Sequence, residues 1–151
     1  MQFPKEKNKE LFMDKKKQTG LGIIGILLDG NEVLLGQRNK ETGKGLWELP
    51  GGHLEFNEGF EECIKREFLE ETGITIEVQR LVSVSANKAY GNHYVVLGFL
   101  VASKSKPKIF HREPENHSAW KWFDLEKLPE LFIATKDAIR DFKAGKIYSG
   151  K

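Results

Sequence analysis

One cysteine, Cys63, occurs among 151 residues. That excludes an internal disulfide and suits a reducing compartment, so a cytoplasmic location is expected. A core thiol is the expectation for Cys63, not a nucleophile. Long apolar runs are also missing. The longest, near Ile23 to Leu28, is interrupted by Gly25 and falls far short of the ~20 residues of a membrane span. The N-terminus is charged and has no apolar secretory stretch, so neither a signal peptide nor a membrane partner is expected. Charge of one sign is scarce: the net is +2, which is no footprint for a stable nucleic-acid complex. Residues 1–17 hold six lysines and three acids, so the rest of the chain is close to −1. There is no dinucleotide fingerprint, no phosphate-loop motif, no Cys/His metal array and no internal repeat.

What is present is 39% hydrophobic and 30% charged residues, the balance of a soluble globular protein. Residues 1–18 read as a flexible charged tail, and 19–151 as one domain. The most informative stretch is GGHLEFNEGFEECIKREFLEETGI at 51–74. Phe60, Ile64 and Phe68 recur every four residues and mark one buried helical face. Asn57 is a suitable N-cap, with Glu58, Glu61 and Glu62 in the first turn and Gly73 as the C′ residue. The spacing therefore predicts a helix from about Glu58 to Thr72.

The end of that helix is charged against expectation. Glu67, Glu70 and Glu71 crowd its C-terminal turns, where the dipole disfavours anions by about 0.3–1 kcal/mol each. At i, i+3 and i+4 they also repel one another by a few tenths of a kcal/mol per pair. A hard divalent cation, Mg²⁺ or Mn²⁺, offsets that cost, because it prefers carboxylate oxygens and substrate phosphates. A solvated acidic face is the plain alternative, but it explains neither the preceding glycines nor Arg66. Beside Glu67, Arg66 can fix that carboxylate by a charge-assisted hydrogen bond.

Gly52-x5-Glu58-x7-Arg66-Glu67-Phe68-x-Glu70-Glu71-x-Gly73-Ile74 closely resembles the Nudix box, with Phe68 where the family has an aliphatic residue. The resemblance implies a hydrolase of diphosphate linkages in nucleotides, Mg²⁺ or Mn²⁺ as cofactor, and a nucleotide as partner. It matches Glu67, Glu70 and Glu71 to the metal-binding carboxylates and Arg66 to the residue that orients Glu67. Glu58 matches the remaining acidic position, and Gly51 the backbone-carbonyl metal ligand. Glu67 is the first candidate for the base, with Glu113 and Glu115 as loop alternatives. A homodimer is a family-level expectation.

Periodicity elsewhere gives strands at Gly20–Leu28, Val33–Gln37, Leu46–Leu49 (continuing past Pro50), Ile74–Ser85, His93–Ser103 and Ala119–Asp124, with a loop or hairpin end at 87–92. A second helix is expected over Leu131–Lys143. This order, β-β-β-α-β-β-β-α, is an α/β (α+β) pattern, and the resemblance implies the Nudix α/β/α sandwich, a mixed sheet between helices. The segments 47–56 and 113–129 resemble the MutT-type and thiopurine-type nucleoside triphosphate pyrophosphatases of the family.

Around the box, Gly52 and His53 are candidate substrate contacts, and Arg38 a candidate phosphate partner, with an exposed arginine as its alternative. Trp47, Leu49 and Trp122 are candidates for an apolar base pocket, with Trp120 and Phe123 nearby. Alternation puts Trp120 and Trp122 on one face of their strand and Phe123 on the other. Glu48 could read a base edge if it faces inward; a strand-surface acid is the alternative. His93, His111 and His117 lack metal-ligand spacing and receive no role. Three functions stay open: a pyrophosphatase of (deoxy)nucleoside triphosphates, purine and oxidised forms included, giving a monophosphate and pyrophosphate; a Nudix hydrolase of ADP-ribose, a nucleotide sugar or RNA 5′ ends; and a non-catalytic Nudix ligand sensor.

Overall fold

The computed structural model describes residues 18–104 and 107–150; the expected tail thus lies almost wholly outside the described residues. The elements are β1 Gly20–Asp29, β2 Glu32–Arg38, β3 Trp47–Glu48, β4 Gly51–His53, α1 Phe60–Thr72, β5 Glu77–Ala89, β6 Asn92–Ala102, β7 His117–Asp124 and α2 Ile133–Ala144. The strands run β3-β2-β1-β6-β5, with β4 also on β1 and β7 also on β2. The β1–β6 pair is parallel and every other pair antiparallel, so the sheet is mixed, as expected.

β1 has two sets of partners on one side. Its Gly22–Ile24 stretch pairs with β4, while Leu28 and Asp29 pair with β2. Its alternating side chains feed two cores. Ile23 and Leu27 pack with Cys63, Ile64 and Phe68 of α1. Ile26 packs with Val33, Leu35, and Ala138 and Ile139 of α2. Period-two alternation therefore places the helices on opposite faces. Phe68 is fully buried, and truncating a buried phenylalanine to alanine costs about 3–5 kcal/mol.

Several boundaries differ from the sequence reading. The single strand expected across Pro50 is two: β3 pairs with β2, and β4 with β1. Proline has no N–H for a ladder, and the Pro50 carbonyl instead accepts from the Gly25 N–H. Helix α1 starts at Phe60 with Gly59, not Asn57, as N-cap, and Glu58 lies before it. Asn57 instead takes a left-handed turn conformation, φ 63°. Phe60, at the mouth of the helix, is 45% exposed and does not share the burial of Ile64 and Phe68. Gly73 ends the helix at φ 71°, its N–H donating to the Leu69 carbonyl.

Of the two forms expected at 87–92, loop or hairpin end, the structure has the hairpin. β5 and β6 pair as far as Ala89 and Asn92 around Tyr90-Gly91, both at positive φ. Two such residues suit the twist of a two-residue hairpin. Trp120 and Trp122 do share a face, packing against the α1 core, while Phe123 packs on the α2 side.

Candidate active site

β4 passes directly beneath helix α1. A Cβ on Gly51 would stand 2.1 Å from the Ile23 carbonyl oxygen, and one on Gly52 would stand 2.4 Å from Glu67 Oε1. The glycine pair therefore lets the backbone touch the carboxylates. The Gly51 N–H donates to Glu71 Oε1 at 2.8 Å. That strand and helix form the floor of a cleft of about 570 Å³.

Arg66 anchors the helix to this floor. It donates to both oxygens of Glu58, at 2.6 and 3.0 Å, to Glu67 Oε1 at 2.8 Å, to Glu70 Oε2 at 3.2 Å and to the His53 carbonyl at 3.1 Å. Glu58 is thus committed to Arg66, which holds its carboxyl at about 2, far below the usual range; burial works in the other direction, and the Glu55 N–H assists. These contacts raise the guanidinium pKa, Glu58 foremost and against burial.

The other carboxylates are less well compensated. Burial pushes Glu67 up despite Arg66, with Glu70 and Glu113 adding repulsion. Glu71 is 4% exposed. Burial raises it well above the ordinary range; the Gly51 N–H opposes this, while Glu67 and Glu48 reinforce it. Glu70 lies at the rim, with its side chain 47% exposed.

A second buried chain runs behind Glu71. Arg38 donates to Glu48 Oε2 at 2.5 Å, and to the Thr42 backbone and hydroxyl oxygens. His117 Nε2 donates to Glu48 Oε1 at 2.8 Å. His117 Nδ1 is 3.4 Å from Glu71 Oε2 and has no hydrogen-bond partner. Burial favours the neutral form of Glu48, but His117 and Arg38 outweigh it and lower its pKa. Arg38 is therefore neither exposed nor free, and Glu48 is no surface acid. The guanidinium also lies 3.9 Å over the Phe132 ring. His117, given no role from sequence, is fully buried between two carboxylates. Its signal was contextual: β7 begins two residues earlier than read, and His117 pairs with Arg38 across a bulge.

The structure brings Gly51, Gly52, His53, Arg66, Glu67, Glu70, Glu71, Arg38, Glu48 and Leu49 to one cleft, together with Glu113. Trp47 and Trp122 do not line it. Trp47 packs edge-on against Phe123, with ring centroids 4.7 Å apart, and Trp122 packs against the α1 core. Glu58 and Glu115 are also not among the lining residues. The aromatic wall comes from Tyr90, Tyr94 and Phe132, which were not singled out. Tyr94 stacks on His53 at 5.3 Å between ring centroids and lies 3.2 Å from its Nε2.

Among the described residues no three Asp, Glu, His or Cys side chains converge as a ready metal cage. The donor chemistry nonetheless suits a hard divalent cation. Burial disfavours the charge on buried Glu71 and on mostly buried Glu67, an imidazole nitrogen beside Glu71 is orphaned, and half-exposed Glu70 reaches the same floor through Arg66.

Residues 16–143 match the NUDIX domain. The chain is 30% identical over 131 residues to the ADP-ribose pyrophosphatase of Methanocaldococcus jannaschii, covering 83% of this chain and 74% of that one. It is 35% identical over 104 residues to the 8-oxo-dGTP diphosphatase of Proteus vulgaris, covering 67% and 89%. The crystal structure of a MutT NUDIX hydrolase from Burkholderia pseudomallei superposes with a TM-score of 0.74 at 31% identity, over 83% of this chain and 98% of that one. Nudix hydrolases generally use divalent metal ions and act on nucleotides, and among the described residues no helix is long and apolar enough to cross a membrane. The matched sequence and the matching fold place this chain in the NUDIX family, as a Nudix hydrolase.

Proposed function

We propose that the chain hydrolyses a phosphoanhydride bond of (deoxy)nucleoside triphosphates, releasing a monophosphate and pyrophosphate. The observation that carries the chemistry is the acidic floor: buried Glu71 and mostly buried Glu67 face the same cleft, and burial disfavours the charge on both. Glu67, Glu70, Glu71 and the Gly51 carbonyl would hold Mg²⁺ or Mn²⁺, which neutralises phosphate charge and acidifies water. Arg66 fixes the Glu67 carboxylate by a 2.8 Å hydrogen bond. So held, Glu67 is placed to take the proton of the attacking water as the P–O bond to the leaving group, pyrophosphate or the nucleoside monophosphate, breaks. Glu113 faces the same space from the loop before β7.

The cleft has one acidic end and one aromatic end, which suits a single base joined to a phosphate chain. The second reading, ADP-ribose, is favoured by the relative of that name, whose match spans more of this chain than the 8-oxo-dGTP diphosphatase match does. Metal-dependent formation of the nucleoside monophosphate from dNTPs, 8-oxo-dGTP, ADP-ribose, nucleotide sugars and dinucleoside polyphosphates, with both products of each resolved by chromatography, separates them. A triphosphate should have the highest kcat/KM. An ADP-ribose value tenfold above every triphosphate would replace the first reading with the second, and no turnover of any of them would point to a ligand sensor.

A further inference from the structure

The hairpin of β5 and β6 carries polar groups that the hydrolytic machinery does not use. Ser83, Ser85 and Asn87 alternate along one buried face of β5. Asn87 is only 7% exposed, yet it lines the cleft. Its side-chain amide donates to Ser85 Oγ at 3.1 Å and to Asp137 Oδ2 at 3.0 Å. Asp137 Oδ1 accepts from Arg140 at 3.2 Å. A carboxylate only accepts, so the amide cannot flip without placing two oxygens against each other. Both Asn87 N–H groups are therefore spent on α2 and Ser85. The Oδ1 acceptor has no partner among the described residues and is not a buried orphan, which leaves it for the cleft.

Three residues farther on, Tyr90 forms the tip of the hairpin and is 56% exposed. Its ring lies nearly parallel to that of Phe132, 10° between planes and 6.1 Å between centroids. Both rings line the cleft, and Phe132 is backed by the Arg38 guanidinium. An aromatic wall supplies stacking without choosing among bases, whereas a fixed acceptor selects.

We propose that Asn87, with Tyr90 and Phe132, forms the base-recognition subsite of the cleft and selects bases that offer an N–H donor on their edge. The inference rests on the nucleotide-hydrolase reading but concerns only the base. A purine with an exocyclic amino group or a ring N–H satisfies the acceptor. Unsubstituted purine leaves it desolvated and unpaired, and sites built to hydrogen-bond a group discriminate strongly against its absence.

The test is equilibrium binding of nucleoside 5′-monophosphates to the full chain in EDTA, where no hydrolysis intervenes. AMP and GMP should bind at least about tenfold more tightly than unsubstituted-purine riboside monophosphate. Asn87→Ala should remove that gap, and Tyr90→Ala should weaken all three alike. Because Asn87→Ala also cuts a tie to α2, a measurement on the unmodified protein stands beside it: the Asn87 side-chain amide resonances should shift with AMP and stay still with the unsubstituted purine. Equal affinities in the unmodified protein, still resonances with AMP, or a gap that survives Asn87→Ala would each overturn the proposal. The hydrolysis panel judges the nucleotide-hydrolase reading separately, since it needs metal and turnover and this binding test needs neither.

Discussion

Two buried acids, Glu71 on α1 and Asp141 on α2, face opposite fates. Asp141 is fully buried and accepts from Ser83 Oγ at 2.5 Å, from Ser149 and from Arg140 at 3.3 Å. Burial alone would raise its pKa, yet Ser149, Ser83 and Arg140 together bring it below the ordinary range. Glu71 is also closed to solvent but lies deeper among packed atoms, and it has one N–H donor, an imidazole nitrogen that makes it no hydrogen bond, and carboxylates for neighbours; its pKa goes up. The same residue chemistry thus serves two ends. Around Asp141 the protein completes the hydrogen bonding itself and gains stability. Around Glu71 it withholds the compensation, leaving a site that a cation or a proton must complete.

The comparison breaks most visibly if Glu71 is altered. Glu71→Gln keeps an acceptor for the Gly51 N–H but removes the charge, and Glu70→Gln does the same at the rim. Each should lower kcat by about a hundredfold or more, the scale set by losing one charge-stabilising group at a reacting centre. Excess EDTA should abolish turnover. Melting temperature without metal should stay level or rise slightly, because like-charge repulsion is relieved. Full activity in EDTA would end the metal assignment, and strong destabilisation of the metal-free variants would make these carboxylates structural.

At Asp141 the expected loss is of stability. Asp141→Asn should cost about 1–3 kcal/mol in urea unfolding, the range for a buried polar group left mismatched. The C-terminal segment should loosen with it. That segment is held by Ser149 on Asp141, by Arg140 on the Gly150 carbonyl, and by the Val84 N–H on the Ile147 carbonyl. Amide exchange at Val84 should therefore quicken. The pH dependence has a definite sign. The folded pKa of Asp141 lies below its unfolded value, so its contribution is complete above the unfolded carboxylate range and fades as pH falls through the folded pKa. Asp141→Asn should flatten the acid side of the stability profile. An unchanged acid limb would show that other carboxylates set it.

These two regions were not equally legible in the sequence. The carboxylates of α1 were readable because the Nudix box fixes residue type and spacing within one helix, from Glu67 to Glu71, and because the glycines and Arg66 serve the same geometry. Both helices and most of the strands followed from periodicity, and the mixed sheet from the resemblance. The Asp141 network was not readable, since Ser83, Ser149 and Asp141 meet only through the packing of β5, α2 and the C-terminal segment. His117 was passed over for the same reason, as its partner Glu48 and its neighbour Glu71 come from β3 and α1. Trp47 and Trp122 were expected in the pocket on aromatic character, but their size drew them into the cores. Tyr90 and Phe132 hold the wall because a hairpin tip and the residue before a helix lie where the cleft opens.

Cys63 offers the smallest and sharpest test of the joint between these parts. It sits on α1 facing β4; its thiol lies 3.5 Å from the His53 carbonyl, and Arg66 donates to its sulfur. Burial first, then the bond to Glu58 and its charge, push the thiol up to about 12. The thiolate is the reactive form, so at pH 8 alkylation should run about a thousandfold slower than for an exposed thiol. Glu58→Gln should quicken it only modestly, because burial remains the larger cause. Iodoacetamide labelling of the folded protein, followed by mass spectrometry, gives the rate. Labelling at the speed of a free thiol would mean that α1 opens away from β4 in solution, and the contact that seats Glu67 against Gly52 would then be transient, not built in.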